Sequence, residues 1–413
     1  PGARGGEPVR GEVAARVEEE KGLPVEHGLM RPNGVRNTKV AAQYMVKACM
    51  RKGIEVKMTP PSKKFPKGQV SLNAEFCQAT GDEVMKAYAE VSSLKKQLSA
   101  DIPLLRRGTV VPIHPKWESI KETGRTGTKP NVQNVPVYGK MRECFIPRWG
   151  YVYAAADYDG FELRTMSQFC ISKFKQSRLG EALNAGLDPH LVVASRILKI
   201  GYEEAKRRKD ADDDEVYRAR QTGKVANFGF PGGLGAASLV VYAKSNYNVD
   251  ITEKEAEKLK DDWLESWPEF RTFFAYFGQL CDRADPQFAQ LFSNRFRGDV
   301  RFTEACNSAF QGLAADAAKA AGFLIARACY VEPDSPLYGS RIVNFIHDEF
   351  ILESPEQKAA EAAEELARLM VKGASVFLPD VPPKASPLLM RRWSKKAKEI
   401  RDDDGRLVPW DIT

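Results

Sequence analysis

The stretch that most restricts the fold is AAADYDGFELR, Ala154 to Arg164. From Tyr151 to Ala156 the residues are apolar or aromatic and carry no charge, as in a strand covered on both faces. Asp157 then stands where the strand ends, and a helical pattern begins near Phe161. A strand end holds its backbone firmly yet remains open to solvent, so a carboxylate there is well placed to meet a cation. Taken alone, Asp157 is more simply explained as a cap on the helix that follows.

A second stretch, RIVNFIHDEFILE from Arg341 to Glu353, reads as two short strands joined by a tight turn at His347-Asp348-Glu349. Burying acids in such a turn is unfavourable unless they meet cations. Asp157 and Asp348 are therefore candidates to converge on a pair of Mg²⁺ ions, hard cations that prefer carboxylate oxygens and leave positions for phosphate. Two such ions stabilise both the attacking and the leaving oxygen of a phosphoryl transfer.

The third stretch is RARQTGKVANFGFPGGLG, Arg218 to Gly235. Arg220, Lys224 and Phe228 are four residues apart, so one helix presents all three on one face. Two cations and an aromatic so aligned suit a triphosphate and its base. A basic surface helix with Phe228 in the core satisfies the same pattern.

DYDGFELR, RQTGKVANFG and HDE resemble, in this order, the three polymerase motifs of family A DNA polymerases, the group of bacterial DNA polymerase I and many phage enzymes. TGRTGTKPNVQNVP (Thr123 to Pro136) resembles the segment ahead of the first motif, and CNSAFQGLAAD (Cys306 to Asp316) one between the second and third. The matches run from about Val70 to Glu353. The resemblance implies an α+β right-hand fold with an antiparallel-sheet palm, helical fingers and a helical thumb. It implies a lead-in over 1–35, a thumb over 36–107, palm over 108–180, fingers over 181–300, and palm with the C-terminal tail over 301–413.

The implied activity is template-dependent addition of dNTPs to a primer 3′-hydroxyl. Asp157 and Asp348 would hold two Mg²⁺, with Tyr158 counted among the metal ligands and Glu349 as an auxiliary catalytic acid. Arg220, Lys224 and His190, the last from the DPH match, would neutralise the triphosphate. Phe228 would stack near sugar and base and, with Glu162, close the space that a ribose 2′-hydroxyl needs. Arg125, Asn307, Gln311 and His347 would touch DNA, with Asn307 and Gln311 on the minor groove, whose acceptors repeat in every base pair. Arg125 lies one residue closer to Pro130 than in the family pattern. A single-subunit RNA polymerase shares this layout, but Glu162 before Leu163-Arg164 and the run Asn227 to Gly229 favour the DNA enzyme. A catalytically silent DNA-binding subunit is disfavoured by the presence of both aspartates and both triphosphate cations.

Composition agrees with such a partner. The 413 residues suffice for two or three subdomains, and the formal charge of +7 suits phosphate attraction. Seven cysteines without a CxxC pair read as free thiols in a reducing compartment. No signal peptide and no apolar run long enough for a bilayer are found. The expected setting is the cytoplasm of a bacterial or phage-infected cell, near the nucleoid, with primer–template DNA and dNTPs as partners and no membrane. The thumb begins so near Pro1 that no proofreading nuclease is expected in this chain.

Along the chain, residues 1–35 read as a loosely docked lead-in and Asn37 to Gly53 as a helix closed by Gly53. A basic Pro-rich loop carries Lys57, Lys63, Lys64 and Lys67. Glu83 to Leu98 is an amphipathic helix with Val84, Tyr88, Val91, Leu94 and Leu98 on one side. Gly108 to Ile120 holds two strand-like runs. Asn131, Gln133 and Asn134 read as amides satisfying backbone groups in a packed turn. Arg207 to Arg218 is a solvated loop or helix end, the aromatics from Trp263 to Phe277 are core, and the tail from Val381 closes a sheet.

One departure from the family pattern stands out. Where the second motif continues its helix to a tyrosine, this chain has Pro231-Gly232-Gly233, a variant more phage-like than bacterial. A helix-interior proline costs roughly 3 kcal/mol, and each glycine adds about 1 kcal/mol. The helix carrying Arg220, Lys224 and Phe228 should therefore end or kink between Gly229 and Gly233.

Overall fold

The computed structural model describes residues 6–59, 65–137 and 140–411. Lys63 and Lys64 of the basic loop lie outside them. The chain divides into two compact units, one of Pro1–Ile113, Gly139–Met141 and Ala236–Ala256, the other of His114–Tyr138, Arg142–Gly235 and Glu257–Thr413.

The first unit is helical. Thr38–Lys52 begins where the Asn37 side chain accepts from the Val40 amide and ends at Gly53, whose φ of 65° closes the helix as expected. Glu83–Lys96 is capped by Asp82, which accepts from the Val84 and Met85 amides. Val84, Tyr88, Val91 and Leu94 are buried along it. At its end Gln97–Asp101 forms a π turn. The extra residue shifts the register, so Gln97 turns inward at 1% exposure while Leu98, expected on the buried side, stays half-buried.

Two further expectations fail in this unit. The loosely docked lead-in is instead a helix over Gly6–Glu20 and a short one over Gly22–Glu26. Val13 and Val17 are buried, and Arg16 reaches Glu90 at 2.6 Å. Burial of one apolar edge thus overrides a polar composition. The first strand-like run after Gly108 is no strand: Val110 and Val111 follow the helix Ile102–Gly108 and are 83% and 54% exposed. Extended pairing needs a partner, and none lies beside this run among the described residues. Only the second run forms a strand, Lys116–Glu118, paired with Gly127–Lys129.

The second unit is built on a five-stranded sheet in the order Arg341–Ile346, Glu349–Pro355, Tyr151–Tyr158, Ala385–Met390, Pro409–Trp410. Pairing is antiparallel except at the outermost strand, where Ala385–Met390 runs parallel to Pro409–Trp410. The tail thus closes the sheet as expected. Val152, Ala154, Ala156 and Tyr158 alternate onto one face and meet the helices Phe302–Tyr330 and Ala359–Ser375 in one buried cluster. That face is rich in alanine, which lets the helices approach closely. A Cβ on Gly373 would stand 2.4 Å from the Ala321 Cα.

The remaining helices of this unit pack around aromatics. Trp263, Trp267, Phe270, Phe273 and Phe277 are buried, as core aromatics should be. The helices Pro189–Leu198 and Asp214–Gly229 share a core of Leu191, Ala194, Ala205, Val216 and Ala219. Arg207 to Arg218 spans the end of one helix, Tyr202–Asp210, and the start of the next at Asp214. The second-motif helix ends at Gly229, a 3₁₀ turn covers Phe230–Gly232, and Gly233 takes φ 82°. The helix therefore stops where Pro231 and the two glycines require.

Candidate active site

The strand Tyr151–Tyr158 carries Asp157 to the end of the sheet, next to the turn that joins its neighbour Glu349–Pro355 to the edge strand Arg341–Ile346. The turn consists of His347 and Asp348 between the paired residues Ile346 and Glu349. His347 adopts φ 57°, a left-handed conformation that costs a residue with a Cβ about 1–3 kcal/mol. The Tyr158 amide donates to the Asp348 carbonyl at 3.3 Å, which ties this turn to the first-motif strand.

Asp157 and Glu349 are direct cross-strand partners, so two like charges face each other across one pair, an unfavourable arrangement. Burial, followed by the neighbouring Asp348 charge, pushes the Asp157 carboxyl upward. Asp348 rises for the same first reason, with Glu162 adding to it. Glu349 is pushed up to about 7 by burial and then by Asp157. One oxygen of Asp157, Oδ1, is buried with no hydrogen-bond partner among the described residues. Lys395 Nζ stands 3.9 Å from Asp157 Oδ2 and opposes all three upward shifts.

Tyr158 enters the site only through its main chain. Its ring is buried against Phe161, centroids 3.9 Å apart, and its hydroxyl donates to the Met370 carbonyl at 2.8 Å. The phenol is thereby removed as a metal ligand. Its place in the strand alternation, two residues on from Ala156, turns the side chain into the core.

Beside the carboxylates lies a cleft of about 230 Å³ bordered by Arg125, Gln133, Glu162, Lys319, His347 and Asp348. Arg125 Nη2 donates to Glu162 Oε1 at 2.6 Å. Burial raises the Glu162 carboxyl and the Arg125 charge opposes it. Burial, then Arg125, Arg142 and Lys395, lowers His347. The Gln133 side chain donates to Thr126 Oγ1 and to the Phe345 carbonyl, and the Asn131 side chain accepts from the Asn134 main-chain N–H, so Gln133 and Asn131 satisfy main-chain groups as expected.

A second cluster forms where the second-motif helix meets Pro189–Leu198. A Cβ on Gly223 would lie 2.4 Å from the His190 carbonyl oxygen, so the glycine of RQTGKVANFG is what lets these helices touch. Arg220 Nε donates to Asp188 Oδ2 at 2.7 Å. The His190 ring lies 5.4 Å from that of Phe228. Burial, aided by the Arg220 and Lys224 charges and opposed by Asp188, lowers His190 to about 4.

The long helix Phe302–Tyr330 runs past both clusters. Near its start Asn307 Nδ2 donates to the Gly232 carbonyl at 3.3 Å and Gln311 Nε2 to Asn307 Oδ1 at 3.3 Å. About two turns on, roughly 10 Å along the axis, Ala314, Ala315 and Lys319 border the cleft. Asp157, Asp348, Glu349, Glu162, Arg125 and His347 thus form one group, and Arg220, His190 and Phe228 another. Among the described residues Glu162 borders the cleft and Phe228 does not. Sequence reasoning missed Lys395, Lys319, Asp188 and Asn227. The DPH motif holds the only signal for Asp188, since an acid ahead of a helix is a usual cap.

Among the described residues no three acidic, histidine or cysteine side chains form a preassembled metal cluster. What does fit a divalent ion is a set of hard-oxygen carboxylates raised by burial and then by neighbouring acids, with one oxygen buried and unpartnered. Substrate oxygens would complete such a set. All seven cysteines are free, and no described helix is long and apolar enough to cross a membrane.

Comparison with known proteins accords with this geometry. DNA polymerase I of Aquifex aeolicus is 28% identical over 342 residues, 80% of this chain and 55% of that protein. DNA polymerase I of Pseudomonas aeruginosa is 27% identical over 72% of this chain and 32% of its own length. This chain therefore spans about half or less of the relatives it matches. The fold is similar to that of the POL domain of Pol1 from M. smegmatis, solved in complex with DNA primer-template and dNTP, with TM-score 0.66, 22% identity, and coverage of 94% of this chain and 66% of that one. The model of DNA polymerase family A matches residues 46–395, and the chain belongs to that family.

Proposed function

We propose that this chain is a template-dependent DNA polymerase that adds dNTPs to a primer 3′-hydroxyl. The observation that carries the reading is the group of ionisable acids at one sheet end, Asp157, Asp348 and Glu349, raised by burial and by one another. Such an arrangement is unfavourable until a cation arrives. Family A polymerases use divalent metal ions, and here Asp157 and Asp348 would hold two Mg²⁺. Bound there, the ions would acidify the primer hydroxyl and offset charge on the leaving pyrophosphate.

The protein's own groups do the rest. Arg220, Lys224 and His190 bind the triphosphate, and Phe228 orients sugar and base beside it. Arg220 is held by Asp188, so its guanidinium is oriented before substrate enters. Glu162 excludes a ribose 2′-hydroxyl, and Arg125, which holds its carboxylate, contacts the primer end. Asn307, Gln311 and His347 meet the duplex. Glu349 modulates the charge of the other two acids. We read 36–107 as thumb, 108–180 and 301–413 as palm and 181–300 as fingers, working on primer–template DNA in the cytoplasm of a bacterial or phage-infected cell.

Primer extension with dNTPs and with rNTPs, with and without Mg²⁺, tests the reading. Extension should need Mg²⁺ and dNTPs. Asp157→Ala or Asp348→Ala should abolish it while duplex binding stays within several-fold, since several kcal/mol of transition-state stabilisation are removed. A tenth of the activity surviving in either variant would overturn the metal assignment. Preference for rNTPs would mark an RNA polymerase-like enzyme, and DNA binding without extension a silent subunit.

A further inference from the structure

Asn227 is 1% exposed and uses every hydrogen-bonding capacity of its amide. Its Oδ1 accepts from Trp263 Nε1 and Trp267 Nε1, each at 2.9 Å. Its Nδ2 donates to the Pro189 carbonyl at 3.1 Å and stands 3.0 Å from His190 Nδ1. Indole N–H groups only donate and a carbonyl only accepts. The amide's orientation is therefore dictated by three partners with no freedom of role. A flipped amide would aim N–H groups at two indole N–H groups and an oxygen at a carbonyl.

With Nδ2 facing it as a donor, His190 Nδ1 has to accept. A proton there would set two N–H groups against each other at hydrogen-bond distance. We propose that Asn227 is a positioning residue that fixes His190 as the neutral tautomer protonated on Nε2, so that the ring presents one uncharged N–H donor. On the polymerase reading, that donor meets the incoming triphosphate, and the charge there is left to Arg220 and Lys224. The two tryptophans take part by holding Asn227. The charged groups that face the ring are Asp188, Arg220 and Lys224. The low proton affinity of His190 accords with the geometry.

Long-range ¹H–¹⁵N correlation spectra of the full chain read the tautomer directly. The chain has four histidines, and His190→Gln assigns the relevant signals by their loss. The expected result is an unprotonated Nδ1 and a protonated Nε2 from pH 8 down to about pH 5. A proton on Nδ1, or titration near the ordinary histidine value of about 6.5, would overturn the proposal. Asn227→Asp tests the cause. Its carboxylate still accepts from both indoles but cannot donate, so the proton should move to Nδ1 and the midpoint rise by roughly two pH units or more. The KM for dNTP should then vary with pH, with kcat less affected. An unaltered tautomer in that variant would also overturn the proposal. If the variant does not fold, the wild-type spectrum decides alone. A wild-type spectrum as expected from a chain that extends no primer would leave the lock standing and remove the polymerase reading.

Discussion

Replacing Glu349 by glutamine should stabilise the metal-free protein at alkaline pH and leave it unaltered at acid pH. Glu349 is half-buried, faces Asp157 across the sheet, and is raised from 4.5 to about 7. The folded state therefore holds this proton more tightly than the unfolded chain does. Below about pH 4.5 both states are protonated and no penalty exists. As pH rises toward 7 the unfolded chain ionises first, so stability falls, and above 7 the loss is complete. At 1.36 kcal/mol per pH unit the full penalty is about 3 kcal/mol, net of the opposing Lys395 and Arg142 charges, and an upper figure because solvent reaches this half-buried group and screens it. The glutamine variant cannot incur it. Urea titrations in a chelator at pH 4 and pH 8 would read the difference by fluorescence, since all six tryptophans lie in the second unit. Glu349→Gln should gain about 2–3 kcal/mol over wild type at pH 8 and nearly nothing at pH 4. Millimolar Mg²⁺ should narrow the gap, because a bound cation relieves the same repulsion. An equal gain at both pH values, or none at pH 8, would refute the reasoning.

Sugar selection gives a second expectation. Glu162→Ala should raise rNTP use relative to dNTP use, and Phe228→Tyr should raise dideoxynucleotide acceptance, as a phenolic hydroxyl replaces a hydrogen bond of the missing 3′-hydroxyl; unaltered discrimination in both removes these side chains from the sugar pocket. Gly373→Ala should lower the melting temperature, because the new Cβ would stand 2.4 Å from the Ala321 Cα and helix displacement of this kind costs about 1–3 kcal/mol; an unchanged Tm would show that the helices yield freely. Gly232→Tyr should displace the Asn307 amide, whose Oδ1 lies 3.1 Å from a Cβ built there, and alter misincorporation; an unaltered error rate in a forward-mutation assay would count against a base-selection role for this position.

The parts of the site that the sequence exposed are those with local causes. An uncharged run ending at Asp157 reads as a buried strand, and the two runs around His347 and Asp348 read as strands paired through a tight turn. Pro231 and its glycines stop a helix by backbone chemistry alone. What stayed hidden depends on partners far along the chain. Lys395 belongs to a basic tail that reads as surface, yet the sheet carries this tail to Asp157, helped by the Trp393 amide donating to the Phe145 carbonyl at 3.1 Å. Asn227 reads as one polar residue in a motif until Trp263 and Trp267 fold over it. The helix Gly6–Glu20 escapes notice because Val9, Val13 and Val17, though four residues apart, stand among glycines, a proline and charges, and such a narrow stripe gains weight only from the surface that Val13 and Val17 cover. Leu98 departs from the helical period because the π turn at Gln97–Asp101 leaves no trace in the sequence pattern.

The end of the second-motif helix and the start of the long helix form one structural unit. Gly232 leaves room that the Asn307 amide occupies, with Oδ1 at 3.1 Å and Nδ2 at 3.2 Å from where a side chain would begin. Asn307 Nδ2 also donates to the Thr303 carbonyl at 2.7 Å, a shorter contact than the 3.3 Å to Gly232. Its tie to the second motif is thus the weaker of two and the easier to exchange. A hydrogen bond at 3.3 Å, beside glycines that hold no side chain in place, yields to a base-edge acceptor at little cost, because one acceptor replaces another. Gln311, donating to Asn307 Oδ1, keeps the amide from turning its oxygen toward such an acceptor. On the polymerase reading, a correctly shaped pair would draw Asn307 from Gly232, and the departure at Pro231-Gly232-Gly233 would then link the grip on the triphosphate to minor-groove inspection through one shared amide.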